Sequence, residues 1–139
     1  MLIEIETLIK KELESDEEFI SSDICVDGYI AKLKKYAYFT YIESCDNLIG
    51  FCSYYANDNI NKIGFISMVI VAAEYRGKGV AEVLVDSALR LMKLEGMHTC
   101  KLEVRCDNFR AIKVYEKLGF KHITDSNKSL NRIYMLKNI

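Results

Sequence analysis

The sequence predicts an α+β fold in which a mixed, mostly antiparallel twisted sheet is flanked by helices. Three observations predict it: amphipathic helices at the start, three alternating segments joined by short polar turns, and a glycine-rich turn that opens a helix–strand–helix stretch. The 139 residues contain no proline, no internal repeat and no low-complexity tract. We therefore expect residues 1–139 to form a single domain.

Composition argues against several classes of protein. A formal net charge of −1 gives no bulk attraction to nucleic acid, and no segment approaches the ~20 apolar residues of a membrane span. Five cysteines without Cys-x-x-Cys spacing and two histidines give no zinc pattern. The start of the chain is charged and amphipathic, unlike a signal peptide. We expect reduced thiols, no metal, no nucleic-acid or membrane partner, and a cytoplasmic protein.

The first half of the chain is predicted to hold two helices and a three-stranded antiparallel meander. Apolar residues at helical spacing among charged ones indicate the first helix, and a shorter helix follows. Aromatic and β-branched residues then fill three segments, separated by the turn signal Asp46-Asn47 and a polar turn at 57–61. The first helix carries Leu2, Ile5, Leu8, Ile9 and Leu13; the second is predicted at 27–35, and the strands at 36–43, 48–56 and 63–71.

The second half alternates helices and strands. From 80 to 94, apolar residues recur every three or four residues, which predicts a core helix that ends at Gly96. Leu102 and Val104 alternate with charged residues, which predicts a strand at 100–105. Asn108 is typical of a helix cap, and Gly119 of the end of that helix. Two strands, at 120–124 and 132–136, surround a polar loop.

A glycine-rich turn joins the third strand to the core helix. In Arg76-Gly77-Lys78-Gly79-Val80-Ala81, the glycines let backbone N–H groups approach a ligand, and the helix start favours negative charge. Arg76 and Lys78 add cations at the same place. The segment therefore predicts an anion-binding cradle. It lacks the Lys-Ser/Thr of a nucleotide phosphate loop and the three glycines of a dinucleotide fingerprint.

This turn resembles the first signature of the GNAT superfamily of N-acetyltransferases, Arg/Gln-x-x-Gly-x-Gly/Ala, with Ala81 at the last position. A second signature resembles the stretch from Leu102-Glu103-Val104-Arg105 through Asn108 to Phe120. The two lie in the family's order and spacing, and together with the preceding strand they cover about 63–120. The resemblance implies the GNAT fold and acetyl-CoA as cosubstrate.

The resemblance also implies which residues bind the cofactor. Val69, Ile70 and Val71 would lie on a strand that splays from its neighbour, and the Val71 amide would polarise the thioester carbonyl. Asn108 would contact the cofactor arm. The diphosphate of coenzyme A would bind the backbone amides of the cradle, Arg76, Gly77, Lys78, Gly79, Val80 and Ala81.

Two side chains are the predicted catalytic groups. Tyr115 lies seven residues after Asn108, so the two share a helix face, and its phenol is the candidate general acid for the departing sulfur. Glu103, on the polar face of its strand, is the candidate base for the attacking amine. Without the resemblance, Tyr115 reads as a packed aromatic, Asn108 as a simple helix cap and Glu103 as a solvated strand residue.

We therefore expect an acyltransferase that moves the acetyl group to a primary amine by direct attack in a ternary complex. The alternative is a non-catalytic acetyl-CoA-binding regulatory module. The acceptor stays open between a protein N-terminus, an amino sugar and another small amine, and a homodimer stays open too. A polar-aromatic cluster at the end of the second strand suggests a hydroxylated acceptor, and scattered acidic residues suggest a cationic one. The cluster is Tyr54, Tyr55, Asn57 and Asp58, and the acidic residues are Asp23, Asp27, Glu43 and Asp46.

Overall fold

A computed structural model describes residues 1–20, 24–124 and 131–139. Within these ranges, helices and strands follow the predicted order, and the bounds of the third strand and the core helix agree with the prediction. The helices are α1 (Leu2–Ser15), α2 (Val26–Tyr36), α3 (Val80–Leu94) and α4 (Phe109–Lys117); the strands are β1 (Tyr38–Ser44), β2 (Asn47–Tyr55), β3 (Ile63–Val71), β4 (Thr99–Arg105), β5 (Lys121–Ile123) and β6 (Arg132–Asn138).

The strands form one six-stranded sheet in the order β1-β2-β3-β4-β6-β5. All neighbours pair antiparallel except β3 and β4, which are parallel because α3 carries the chain across between them. The predicted mixed, mostly antiparallel sheet is confirmed. The predicted polar loop before β6 falls largely on 125–130, outside the described residues.

Apolar side chains cover both faces of the sheet. One cluster packs α3 and Tyr115 of α4 onto β2, β3 and β4, and it centres on buried residues such as Leu84, Met92 and Leu102. The other packs α1 and α2 onto the opposite face through Ile5, Ile9, Ile30, Leu33 and Phe51. Burial on both faces fixes the sheet register, since a shift of a strand by one residue would move each of its side chains to the opposite face of the sheet. No helix in the described ranges combines the length and apolarity needed to cross a membrane.

A β-bulge at Ser67 separates β3 from β4. Ser53 pairs with Met68 and Tyr54 with Ile66, so Ser67 is an extra residue on β3 without a partner on β2. Parallel pairing between β3 and β4 stops at the same place, with Ile66 opposite Leu102. Beyond it β3 stays on β2 and β4 stays on β6, so a wedge opens between the two strands.

The predicted turn at Asp46-Asn47 is shifted by one residue. The turn residues are Cys45 and Asp46, with φ of 50° and 64°, and Asn47 is already the first residue of β2. Positive φ at both positions gives the backbone twist that two-residue hairpins favour. Asn is the usual residue for such a turn, and its presence one position later made the prediction wrong by one.

Candidate active site

The backbone of β3 presents donors to the wedge. The Ala72 N–H donates to the Ile49 carbonyl oxygen at 2.7 Å, and the register continues unshifted to Val69. Residue pairs alternate between hydrogen-bonded and non-hydrogen-bonded along an antiparallel ladder. Because Ala72 and Ile49 form a bonded pair, Val71 and Val69 belong to non-bonded pairs and make no hydrogen bond to β2. Their N–H groups therefore point to the side that β4 has left. The splayed strand expected from the resemblance is present.

The cradle after β3 has the conformation that glycine permits. Gly77 and Gly79 have φ of 77° and 79°, and no other group lies within 4 Å of where a Cβ would stand on either residue. Gly79 is the N-cap of α3 and supplies no side-chain acceptor, and the Val83 N–H makes the first helical bond, to Gly79. The N–H groups of 80–82 therefore have no acceptor within the helix. This open, amide-lined turn fits a diphosphate.

The two predicted cradle cations differ in position. Arg76 donates through Nε to the Val71 carbonyl oxygen at 2.9 Å, and its other end pairs with Glu12 of α1. The Lys78 ammonium lies 5.6 Å from the centre of the Tyr75 ring and does not line the cavity in front of the cradle. Arg76 therefore holds the cradle to β3 and α1, and Lys78 lies farther out.

Two cavities meet in the wedge. A cavity of about 400 Å³ extends from the cradle, and one of about 260 Å³ extends from the opposite side, under α2 and the end of α1. Of the predicted site residues, Ile70, Val71, Arg76, Gly77, Gly79, Val80 and Ala81 line the first and Glu103 lines the second. The residues that line both are Asp16, Phe19, Val69, Asn108, Ala111 and Tyr115.

Tyr115 lies at this junction on the buried face of α4. Its side chain is only 9% exposed and packs edge to face on Phe120, with 5.8 Å between ring centres. Burial raises the pKa of the Tyr115 phenol above its ordinary value, and the nearby Cys52 and Cys100 thiols add to the rise. No hydrogen-bond partner for the hydroxyl occurs among the described residues. The phenol is thus a protonated donor facing a cavity.

Asn108 starts α4, as predicted from its position. Its Oδ1 accepts a hydrogen bond from the Ala111 N–H at 3.2 Å, which caps the helix. The cap sets the direction of α4, and Tyr115 follows two turns later on the same face. Asn108 and Tyr115 therefore reach the junction of the cavities together.

Glu103 lies in the cavity that faces away from the cradle. Its Oε1 is 3.7 Å from Nε of Arg132 at the start of β6, and the two side chains are 32% and 17% exposed. Tyr29 of α2 lines the same cavity, and its pKa is raised to about 12, mainly by burial. Glu103 is thus a solvent-exposed carboxylate on the far side of the junction from the cradle.

The polar-aromatic cluster suggested as an acceptor site lies elsewhere. Tyr54 is buried and stacks on Tyr38 with 5.6 Å between ring centres, and Asp58 accepts hydrogen bonds from the backbone N–H groups of Ile60 and Asn61. Neither these residues nor Tyr55 and Asn57 line either cavity. Tyr54 and Tyr55 are the last two residues of β2, and neither cavity supports the cluster as an acceptor site, which stays a prediction. Asp23 lies outside the described residues.

The sequence interpretation missed the residues at the end of α1. Asp16 and Phe19 line both cavities, and Glu12 lines the one at the cradle. One local signal was present: Glu12 and Asp16 are four residues apart, a spacing that predicts a shared helix face, although Asp16 lies just after the end of α1. Their partners Arg76 and Arg105 are 64 and 89 residues away in sequence, and no local pattern identifies such contacts.

Comparison with known proteins identifies the family of the chain. The profile of the Acetyltransferase (GNAT) family matches residues 2–120. The chain therefore belongs to the GNAT family of acetyltransferases.

Individual relatives are similar over different lengths. N-alpha-acetyltransferase 30 of Schizosaccharomyces pombe is 42% identical over 57 residues, which is 41% of this chain and 38% of that protein. N-alpha-acetyltransferase 30 of Saccharomyces cerevisiae is 29% identical over 128 residues, 78% of this chain and 72% of that protein. A chain of the NatC complex, solved bound to Gag peptide and CoA, has the same fold with a TM-score of 0.75 at 22% identity, over 99% of this chain and 90% of that one.

Proposed function

We propose that residues 1–139 form one acetyltransferase domain, which moves the acetyl group of acetyl-CoA to the free α-amino group of a peptide or protein. One observation carries the proposal: the cavity of the amide-lined cradle meets a second cavity at Val69 and Tyr115. Two reactants that enter from opposite sides would meet there in a ternary complex.

The cofactor supplies an acetyl group activated as a thioester, and the chain supplies the groups that hold it. The N–H groups of 77–82 would bind the diphosphate, with Asn108 beside the arm. Val69 lines both cavities whereas Val71 lines only the cradle side, so the Val69 amide is the better-placed donor to the thioester carbonyl oxygen. The sequence interpretation gave that role to Val71. One such donor is worth about 3 kcal/mol of barrier.

The two catalytic side chains would then move protons. The amine nitrogen bonds to the acetyl carbon as the carbon–sulfur bond breaks, and Glu103 accepts the proton that the amine loses. The Tyr115 hydroxyl donates to the departing sulfur, which leaves as a thiol, and solvent returns the proton to the phenol. Because its pKa is raised, Tyr115 remains a donor throughout the neutral range.

Two arguments favour an α-amino group as acceptor. Apolar side chains, among them Phe19, Ile20, Ile24 and Phe65, line the acceptor cavity together with polar and charged ones, and a peptide offers both apolar side chains and backbone polar groups to such a surface. An α-amine also loses its proton roughly 400-fold more readily than a lysine amine, because its pKa is lower. The relatives named N-alpha-acetyltransferase 30 support the same choice.

The test uses acceptors that differ only in the amine they offer. One peptide carries a free N-terminus and no lysine, its partner carries a blocked N-terminus and one lysine, and glucosamine is the third acceptor. Thiol release and mass spectrometry should show acetylation of the first peptide alone. Acetylation of the lysine or the sugar instead would overturn the acceptor assignment.

A calorimetric titration with CoA, combined with the thiol-release assay, distinguishes an acetyltransferase from a non-catalytic acetyl-CoA-binding module. Heat of binding together with turnover supports the enzyme. Heat of binding without thiol release from acetyl-CoA in the presence of any amine would favour a regulatory module. The absence of any heat of binding would show that the protein does not bind CoA and would overturn the proposal.

A further inference from the structure

Residues 12–19, the end of α1 and the turn after it, lie across the open end of the wedge. Three arginines from three different strand ends contact this segment. Arg76 follows β3 and pairs with Glu12, Arg105 ends β4 and pairs with Asp16, and Arg132 begins β6 and donates to the Glu18 carbonyl oxygen at 3.2 Å. The segment therefore joins the strand ends that the bulge has separated.

The contact with Arg105 is the most extensive of the three. Its NH1 group lies 2.9 and 2.7 Å from the two carboxylate oxygens of Asp16, and its Nε and NH2 groups each lie 3.1 Å from an oxygen of Asp107. The Arg105 side chain is 20% exposed. A planar guanidinium held by two carboxylates has little freedom, so it fixes the position of Asp16.

Asp16 in turn shapes the turn after α1. Its Oδ1 accepts the Glu18 N–H at 3.1 Å, and its carbonyl oxygen accepts the Phe19 N–H at 3.1 Å. These bonds direct Phe19 toward the junction, where Asp16 and Phe19 line both cavities. The position of the wall above Tyr115 and Val69 therefore depends on Arg105.

We propose that Arg105 is a positioning residue for the transfer reaction: by holding Asp16 it fixes residues 12–19 over the junction and so sets the line along which the acceptor amine approaches. The inference rests on the proposed acetyl transfer. Arg105 lines only the acceptor cavity, so its loss acts on the acceptor more than on the cofactor.

Steady-state kinetics of Arg105→Lys and Asp16→Asn test this role. We expect the acceptor KM to rise about ten-fold in both variants, because small misplacements at a reacting centre are costly, while the acetyl-CoA KM of Arg105→Lys, whose site lines only the acceptor cavity, stays within about two-fold. A contribution to folding alone would lower the active fraction and kcat but would leave both KM values unchanged. Equal effects on both KM values, or none, would overturn the proposal.

The Asp86–Arg90 pair provides the matched control. It is an exposed i, i+4 pair on α3, with 3.1 Å between its charged groups, and neither residue lines either cavity. Arg90→Lys and Asp86→Asn make the same chemical changes and should leave all kinetic constants unchanged, since exposed pairs contribute little. An acceptor KM that rises equally in the control variants would contradict the inference.

Hydrogen exchange supplies a readout that needs no activity. The Glu18 amide is held by Asp16, so it should exchange faster in Arg105→Lys than in the parent protein, and Arg90→Lys should not change it. If the parent protein transfers no acetyl group yet exchange responds as expected, the proposed function fails, and what stands is that Arg105 fixes Asp16 and the turn after α1. Unchanged exchange in an active enzyme would remove Arg105 as a positioning residue.

Discussion

The Tyr29 hydroxyl donates a hydrogen bond of 3.3 Å to the carbonyl oxygen of Ser67. This bond links α2, a wall of the acceptor cavity, to the bulged residue at which β3 leaves β4. The Ser67 hydroxyl oxygen also forms a hydrogen bond of 2.7 Å with the hydroxyl oxygen of buried Ser53. The bulge is therefore fixed from two sides, and the direction of the Val69 amide depends on it.

We expect Tyr29→Phe to lower kcat several-fold and the free energy of unfolding by about 1 kcal/mol, because a single half-buried hydrogen bond is lost. The acetyl-CoA KM should change little, since the cradle lies beyond the bulge. Tyr38→Phe removes the same atom from a half-exposed tyrosine on the edge strand and is the control. Equal kinetics for the two variants would show that the bulge does not depend on Tyr29.

Gly79→Ala should weaken CoA binding about ten-fold or more, because the methyl group stands where a ligand would approach the amides. It should also cost about 1 kcal/mol of stability, since φ is positive. Gly96→Ala is the matched control, because Gly96 has φ of 90° and open space but lines neither cavity. Calorimetry with CoA measures both variants, and equal losses of affinity would count against the cradle.

Tyr115→Phe should lower kcat ten-fold or more and leave the affinity for CoA nearly unchanged, because only the proton donor is removed. The ring still packs on Phe120, so the fold should persist. Stopped-flow thiol release gives kcat, and calorimetry gives the affinity. A variant with the parent's kcat would exclude the Tyr115 hydroxyl from the reaction.

Alkaline pH should destabilise the protein partly through Tyr115. The pKa of the phenol is raised above the 10.0 expected for an unfolded chain, so above pH 10 the unfolded state loses this proton first. This contribution is fully present below pH 10 and decreases by up to about 1.4 kcal/mol per pH unit above it. Urea unfolding from pH 9 to 11 should therefore show a shallower loss in Tyr115→Phe, while identical slopes would mean that the phenol is not buried in solution.

Local patterns were sufficient to predict most elements. Alternation and helical spacing gave β3 and α3 with the bounds that the structure shows, and Asn108 was identified as a cap because capping acts within one turn. The cradle could also be predicted from local sequence, since its glycines and the start of the helix are adjacent in the chain. The turn at Cys45-Asp46 was misplaced by one residue because Cys45 is not typical of positive φ, whereas Asn47, which is, lies just after the turn.

The site beyond the cradle depends on long-range contacts. The bulge at Ser67 is defined only by its register against β2, and the Arg105–Asp16 contact joins the end of β4 to the end of α1. Tyr54 looked like a surface residue at a strand end, but it is buried against the core. Pairing and packing of distant segments decide such features, and a single sequence does not show them.

The donors at the wedge belong to the main chain, so side-chain replacement does not remove them. A scan of alanine variants along β3 would keep every peptide N–H and would miss the groups that we propose to polarise the substrate. Replacing an amide by an ester at 69 or 71 through chemical synthesis removes the donor directly. The donors place no demand on the side chains of this strand, which are determined instead by the two core clusters into which they pack.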